Sequence, residues 1–492
     1  MVFNKIVRVL IWCGLLAVTG SVFAAGESVR PNIIFIIADD LGYGEIGCYG
    51  QDKIKTPNID QLAKEGMRFT NYYSSHPLCS ASRGSLMTGK HLGHSSIQGQ
   101  GGKLKASDIT IPMLLQSAGY KTCMIGKWGL HGKPGHEGSP NNKGFDHFFG
   151  FDNQGAAHFY YPQFMWRNDE KVLYPDNHDL RVNGEYKNGE GTYIHDEFLK
   201  EALGWIKENK EEPFFLYLPF AIPHAEFTVP DDSRDPYLKL GWPETPWKEG
   251  TKGSTGGGKD PSYGTEYTNG YCGQSHPNAT YAGMVSRMDR SIGTILDLVD
   301  ELGLSENTMV VFTSDNGPAA KKCNKDNSFF KSAGPFRGTK GTVYDGGIHV
   351  PHIVKWPGKI KGNTVSDHVF ASWDFMATAC EMVGVEAPAD SDGISYLPEL
   401  QGRSAQQGTH EYLYWHKGNK QALRIGKWKL YRDFAKGESS IEMYDLENDV
   451  GERVNIAPQM PELVGRYKGY FDSANTHGTQ ADQAKSKKKG KK

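Results

Sequence analysis

Four apolar runs in this chain are continuous rather than alternating, and each stops at polar residues. Residues 32–40 (NIIFIIADD) end on Asp39 and Asp40, and 120–128 (YKTCMIGKW) lead to Lys127. Residues 213–224 (PFFLYLPFAIPH) reach His224, and 308–317 (TMVVFTSDNG) run into Asp315 and Asn316. Apolar runs without polar alternation predict strands buried on both faces of a sheet. Helical periodicity lies between them. Thr56 as N-cap and Pro57 at the first helical position predict a helix that Gly66 stops. Further on, Tyr281, Met284, Val285, Met288, Ile292, Ile295, Leu296, Val299 and Leu302 fall on one helical face that closes at Gly303. Strands alternating with helices predict an α/β fold.

Three stretches lack this alternation. Residues 231–273 are rich in Gly, Pro, Trp and Tyr without a period, which predicts a long surface insertion whose aromatics either stack on sugar rings or pack over the core. From about Glu411, short alternating runs predict a small antiparallel meander, hence a C-terminal subdomain over 406–473 behind a main body over 26–405. The end, 474–492, is lysine-rich and reads as a disordered basic tail, with tethering to an anionic glycan as its functional alternative. At the other end, Lys5 and Arg8, an apolar run and small residues at Ala24 and Ala25 have the order of a signal peptide over 1–25. Its removal predicts a periplasmic or secreted protein without stable membrane insertion.

The net charge of −2, with cationic residues concentrated at the two ends, leaves a mildly acidic body and argues against nucleic acid as a partner. Seven cysteines in 492 residues make no disulfide scaffold. Cys272 with Cys323 is the one pairing expected.

The chemistry gathers at the strand ends. In open α/β sheets the ligand crevice lies beyond the carboxyl ends of the strands, so runs ending on Asp39, Asp40, Lys127, His224, Asp315 and Asn316 predict one convergent site. Asp39, Asp40, Asp315 and Asn316 offer only hard oxygen ligands, the set for Ca²⁺ or Mg²⁺ rather than zinc. Cys79, in CSASRGSLMTG, reads as the first turn of a helix, where free backbone N–H groups favour an anion or a thiolate.

Cys79 to Arg83, C-S-A-S-R, resembles the sulfatase signature C-x-(P/A)-x-R, whose cysteine is oxidised to formylglycine by a maturation enzyme. The segments PNIIFIIADDLGYGEIGCYG, GYKTCMIGKWGLHG, NKGFDHFFGF, VFTSDNGP and GPFRGTKGTVYDGGIHVP resemble the same family in the same order, over most of residues 31–360. The resemblance implies an alkaline-phosphatase-like fold: a large mixed, mostly parallel sheet sandwiched by helices, with a small C-terminal antiparallel α+β subdomain. It also implies a formylglycine-dependent sulfuric ester hydrolase acting on a sulfated carbohydrate. One Ca²⁺ would be held by Asp39, Asp40, Asp315, Asn316 and position 79. The formylglycine hydrate would attack sulfur and release sulfate by elimination. Arg83 would hold position 79, Lys127 and Lys340 would bind sulfate oxygens, and His224 would protonate the leaving alcohol.

Three positions depart from the commoner pattern. Gly129 stands where many members have histidine, leaving His131 as the candidate base for the elimination. His349 replaces a frequent arginine, and Ala81 a proline. A formylglycine-dependent phosphonate or phosphodiester hydrolase, and a non-catalytic glycan-binding relative with an intact Cys79 thiol, are the alternative functions.

Overall fold

The computed structural model describes residues 30–178, 180–182, 185–186, 190–250, 270–320, 322–434 and 440–476. The expected signal peptide, most of the expected basic tail and residues 251–269 of the aromatic insertion lie outside the described residues.

A ten-stranded mixed sheet organises the chain in the order 364–366, 67–69, 352–355, 308–314, 32–38, 214–219, 121–127, 147–151, 164–167, 170–173. The five strands from 308–314 to 147–151 in that order are mutually parallel, with Ile33 opposite Phe215 on one side and Met309 on the other. Antiparallel pairs extend the sheet at both flanks. The continuous apolar runs have a direct cause. In the central strand Asn32–Ala38, Ile34, Ile36 and Ala38 face one buried core, while Ile33, Phe35 and Ile37 face another. Helices Ile194–Asn209 and Pro277–Glu301 cover the first face, and Cys79–Thr88 and Asp374–Val383 the second. The fold is of the alkaline-phosphatase-like α/β kind.

The predicted helix after Thr56 spans Pro57–Glu65, but its capping differs from expectation. Thr56 occupies the N-cap, but its hydroxyl accepts from no helix N–H; it accepts from the Gly47 N–H at 2.8 Å and donates to Asp60 Oδ1 at 3.3 Å. Asp289 of the long helix caps it instead, accepting from the N–H groups of Asn58 at 3.3 Å and Ile59 at 2.8 Å. Part of the aromatic insertion is also regular: Asp231–Leu238 is a helix, and its Tyr237 packs on Trp242, which in turn packs on Phe329 and Phe330. The expected Cys272–Cys323 disulfide is not formed. Cys272 Sγ faces the Phe227 carbonyl at 4.0 Å, both thiols are buried and reduced, and burial holds that of Cys323 up to about 12.

Strands Leu413–Lys417, Lys420–Ile425, Trp428–Asp433 and Ser440–Asp445 form the antiparallel meander. It is fastened to the large sheet's loops. The Trp415 indole donates to the Ser74 carbonyl at 2.8 Å, Lys417 donates to the Gly341 carbonyl at 2.7 Å, and buried Lys429 pairs with Asp345. Order continues past residue 473: Ala474 is buried, and the Thr476 hydroxyl donates to the Gly93 carbonyl at 2.8 Å.

Candidate active site

Asp39 and Asp40 leave the end of the central strand, Asp315 and Asn316 the end of its neighbour Thr308–Ser314, and Lys127 closes the strand Lys121–Lys127. Parallel pairing puts these carboxyl ends on one edge. Asp40 adopts a left-handed backbone (φ 64°), a conformation that aspartate tolerates better than most residues. That bend is pinned by its own N–H donating to Asp315 Oδ1 at 3.2 Å and by the Leu41 N–H donating to Ser314 Oγ at 3.1 Å.

Cys79 is the first residue of the helix Cys79–Thr88 and is fully buried. Its thiol donates to Asp39 Oδ1 at 3.1 Å and lies 3.6 Å from Asp40 Oδ1. Lys340 Nζ stands 3.2 Å from the sulfur and 2.5 Å from Asp40 Oδ1. One helical turn below, Arg83 donates through Nε to Asp315 at 3.0 Å and through Nη1 to the Lys127 carbonyl at 2.9 Å. Lys127 Nζ pairs with Asp39 Oδ2. His224 lies beyond the end of its strand, Phe214–Pro219, in the following turn, with Nε2 3.4 Å from Asp40 Oδ2. Every strand-end residue predicted from the sequence therefore reaches one buried cluster, as do Cys79, Arg83 and Lys340.

The electrostatics disfavour a thiolate at position 79. Burial and the neighbouring Asp315 and Asp39 push the Cys79 thiol well above its usual value, so the thiolate is suppressed. Burial works to raise Asp39, but Lys127 and Arg83 outweigh it and hold the carboxylate well below its usual range. Asp315 is pushed up to about 6 by burial and by Asp39. Burial pulls Lys340 down, yet Asp40, Cys79 and Asp39 leave its ammonium well above the usual lysine value. His224 is held neutral by burial and by Lys340.

The donor set fits a hard divalent cation. Three carboxylates are fully or almost fully buried together, a crowding that a cation relieves. Asn316 provides the clearest sign. Its amide Nδ2 donates to Asp40 Oδ1 at 2.8 Å and to the Gly317 carbonyl at 2.9 Å, while its buried Oδ1 has no hydrogen-bond partner. An orphaned carbonyl oxygen beside Asp40 is a ligand in waiting.

The Nε2 of His131 lies 3.7 Å from where a side chain on Gly101 would begin. His349, in the arginine position, is used for packing. It stacks on Phe336 with centroids 4.0 Å apart and bonds Asp345 and the Thr70 carbonyl. Sequence reasoning missed His158. Its ring lies against His224, and its Nδ1 is 3.0 Å from the Tyr271 hydroxyl. The signal available was its position downstream of FDHFFGF, whose residues His147–Phe151 form the fifth parallel strand and deliver the next turn to the same edge.

Fold and cluster together define a hydrolase of the alkaline-phosphatase-like class. The sulfatase family profile matches residues 31–385, and a second profile, the C-terminal region of N-sulphoglucosamine sulphohydrolase, matches 338–468. The chain belongs to the sulfatase family and is a sulfuric ester hydrolase. It is 31% identical to N-acetylgalactosamine-6-sulfatase of Canis lupus familiaris over 434 residues, covering 83% of this chain and 73% of that one. Against N-acetylgalactosamine-6-O-sulfatase of Bacteroides thetaiotaomicron it is 28% identical, covering 92% and 94%. The crystal structure of Ps i-CgsB superposes with a TM-score of 0.71 at 26% identity, covering 91% of this chain and 94% of that one.

Proposed function

We propose that this protein is an exported sulfatase that removes sulfate from a galactose-type sugar of a sulfated oligosaccharide or polysaccharide, using a formylglycine made from Cys79. The observation that carries the reading is the buried convergence of Cys79 with Asp39, Asp40 and Lys340, where burial and the neighbouring carboxylates disfavour the thiolate. The names of the curated relatives, N-acetylgalactosamine-6-sulfatase and N-acetylgalactosamine-6-O-sulfatase, support a 6-O-sulfated galactose-type sugar. The charge and apolar order of residues 1–25 support export.

Ca²⁺ held by Asp39, Asp40, Asp315, Asn316 and position 79 would supply positive charge at the reacting centre, and formylglycine would supply an oxygen nucleophile in place of sulfur. Arg83 fixes the frame by bridging Asp315 to the Lys127 carbonyl. Lys127 and Lys340 bind the sulfate oxygens and offset charge in the transition state. His224 gives its proton to the departing sugar oxygen. Burial, with Lys340 and then Lys127, depresses this imidazole in the resting protein, and a sulfate group seated beside the two lysines would offset their share of that effect.

A panel of defined sulfated saccharides tests the assignment. Release of sulfate from 6-O-sulfated galactose or N-acetylgalactosamine is expected. Turnover confined to other sugars would change the substrate, and faster hydrolysis of phosphonate esters or phosphate diesters would move the enzyme to that chemistry.

A further inference from the structure

The position that lacks the family's frequent histidine is not an empty one. Gly129 has φ 76°, a left-handed conformation that strains any side chain except glycine's hydrogen, and a Cβ there would meet both Arg83 Cδ and Gln154 Oε1 at 3.0 Å. Gln154 has taken the room. It belongs to the turn that follows the fifth parallel strand, His147–Phe151, a turn shaped by Asn153 Oδ1 accepting from the N–H groups of Gly155 at 2.7 Å and Ala156 at 3.2 Å. The same turn carries His158 to His224. The backbone therefore delivers two side chains to the site together, Gln154 beside Ser80 and His158 against His224.

Gln154 is 8% exposed. Its Oε1 lies 3.4 Å from the hydroxyl of Ser80, the residue after Cys79, while its Nε2 is buried without a hydrogen-bond partner. Ser80's own N–H, one of the free donors at the start of the catalytic helix, is already satisfied by Gln100 Oε1 at 3.1 Å. A buried amide N–H₂ without a partner is costly, and such groups persist where a ligand completes them. The surroundings select the ligand. Lys127, Lys340 and Arg83 supply positive charge, and what the group needs is an acceptor oxygen.

We propose that Gln154 is a substrate-contacting residue whose Nε2 donates a hydrogen bond to a sulfate oxygen, filling the place beside Cys79 that Gly129 leaves without a side chain. This rests on the sulfatase reading above and adds a residue to it. An amide cannot accept the proton that a histidine would, so Gln154 contributes to binding the anion and not to proton transfer.

The test is binding of inorganic sulfate to the Ca²⁺-loaded full chain, measured calorimetrically at constant ionic strength. Four proteins are compared: wild type, Gln154→Ala, Gln154→Glu and Lys127→Ala. Glutamate keeps the size of the side chain and the oxygen near Ser80 and replaces the donor with a negative charge, so a properly folded Gln154→Glu reports whether this side chain reaches the anion even if the alanine variant is unstable. Sulfate binding is expected to weaken about tenfold in Gln154→Ala and further in Gln154→Glu, where a carboxylate would oppose the anion. Loss in Lys127→Ala with wild-type binding in both folded Gln154 variants would overturn the role of Gln154 and leave the sulfatase reading intact. Failure of the wild type to bind sulfate would overturn that reading, and this one with it.

Discussion

His158 lies flat on His224, with ring centroids 3.9 Å apart and planes 20° from parallel, and the Tyr271 hydroxyl reaches its far side at 3.0 Å from Nδ1. Burial, aided by His224 and Lys127, keeps His158 neutral. A neutral aromatic wall fixes the plane of His224 while adding no charge to a cluster already dense with it. Removing that wall in His158→Ala should lower kcat on a sugar sulfate by about 10- to 100-fold through loss of orientation, with KM little changed. His158→Phe keeps the stack and should recover most of the rate. Equal losses in the two variants, measured by steady-state kinetics, would mean that the ring nitrogens matter and the stacking does not.

The role given to His224 itself separates substrates by leaving group. A sugar alkoxide needs a proton as it departs, whereas an activated nitrophenolate hardly does. General acid catalysis supplies about 10²–10⁴-fold, so His224→Ala should lose that much on a sugar sulfate and far less on an activated aryl sulfate. An equal loss on both would make His224 a positioning residue. Lys340, whose ammonium stands 3.2 Å from Cys79 Sγ, would then be the better proton donor.

Metal binding has a readout that needs no turnover. A cation that binds only the folded chain stabilises it by about 2.7 kcal/mol at a concentration 100 times its Kd. Added Ca²⁺ should raise the melting temperature of the chelated wild type and leave Asp315→Ala unmoved. Asn316→Ala, lacking the orphaned Oδ1, should respond only at higher Ca²⁺. Identical titrations for all three proteins would remove these residues from the metal site.

A second histidine cluster sits at the other end of the catalytic helix, where His94 Nδ1 is 2.7 Å from Asp392 Oδ1. That hydrogen bond raises the His94 pKa above 6.5 despite partial burial. Folding therefore binds the proton more tightly, so the contribution is complete below the unfolded value of 6.5 and disappears as pH rises through the higher folded value. Wild type minus His94→Asn stability, from urea midpoints, should be largest below pH 6.5 and shrink as pH rises above it. A difference that grows over that range would contradict the pairing.

Much of the site is legible in the sequence because parallel strands deposit their ends on one edge, so Asp39, Asp40, Lys127 and Asp315 announce themselves as the residues where apolar runs stop. Cys79 and Arg83 are legible from a local signature, since one helical turn separates them. What the sequence hides is produced by contacts between distant segments. Gln154 and His158 stand in NQGAAH, a turn with no periodicity, and only the pairing of His147–Phe151 beside Lys121–Lys127 aims them at the cluster. Asp289 lies in the middle of a long helix and looks like a solvent-facing acid until packing sets it against the start of Pro57–Glu65. Cys272 and Cys323 look like partners only because they are left over. Their burial beside Phe227 is a packing outcome that no spacing rule anticipates.

The central claim is that position 79 works as formylglycine. Protein expressed with and without a maturation enzyme yields preparations that differ in the converted fraction, which mass spectrometry of the peptide containing Cys79 to Arg83 measures directly. Sulfate release per mole of protein should rise in proportion to the fraction carrying an aldehyde or its hydrate, and should vanish in Cys79→Ala. Full activity in a preparation whose Cys79 remains an intact thiol would contradict the account.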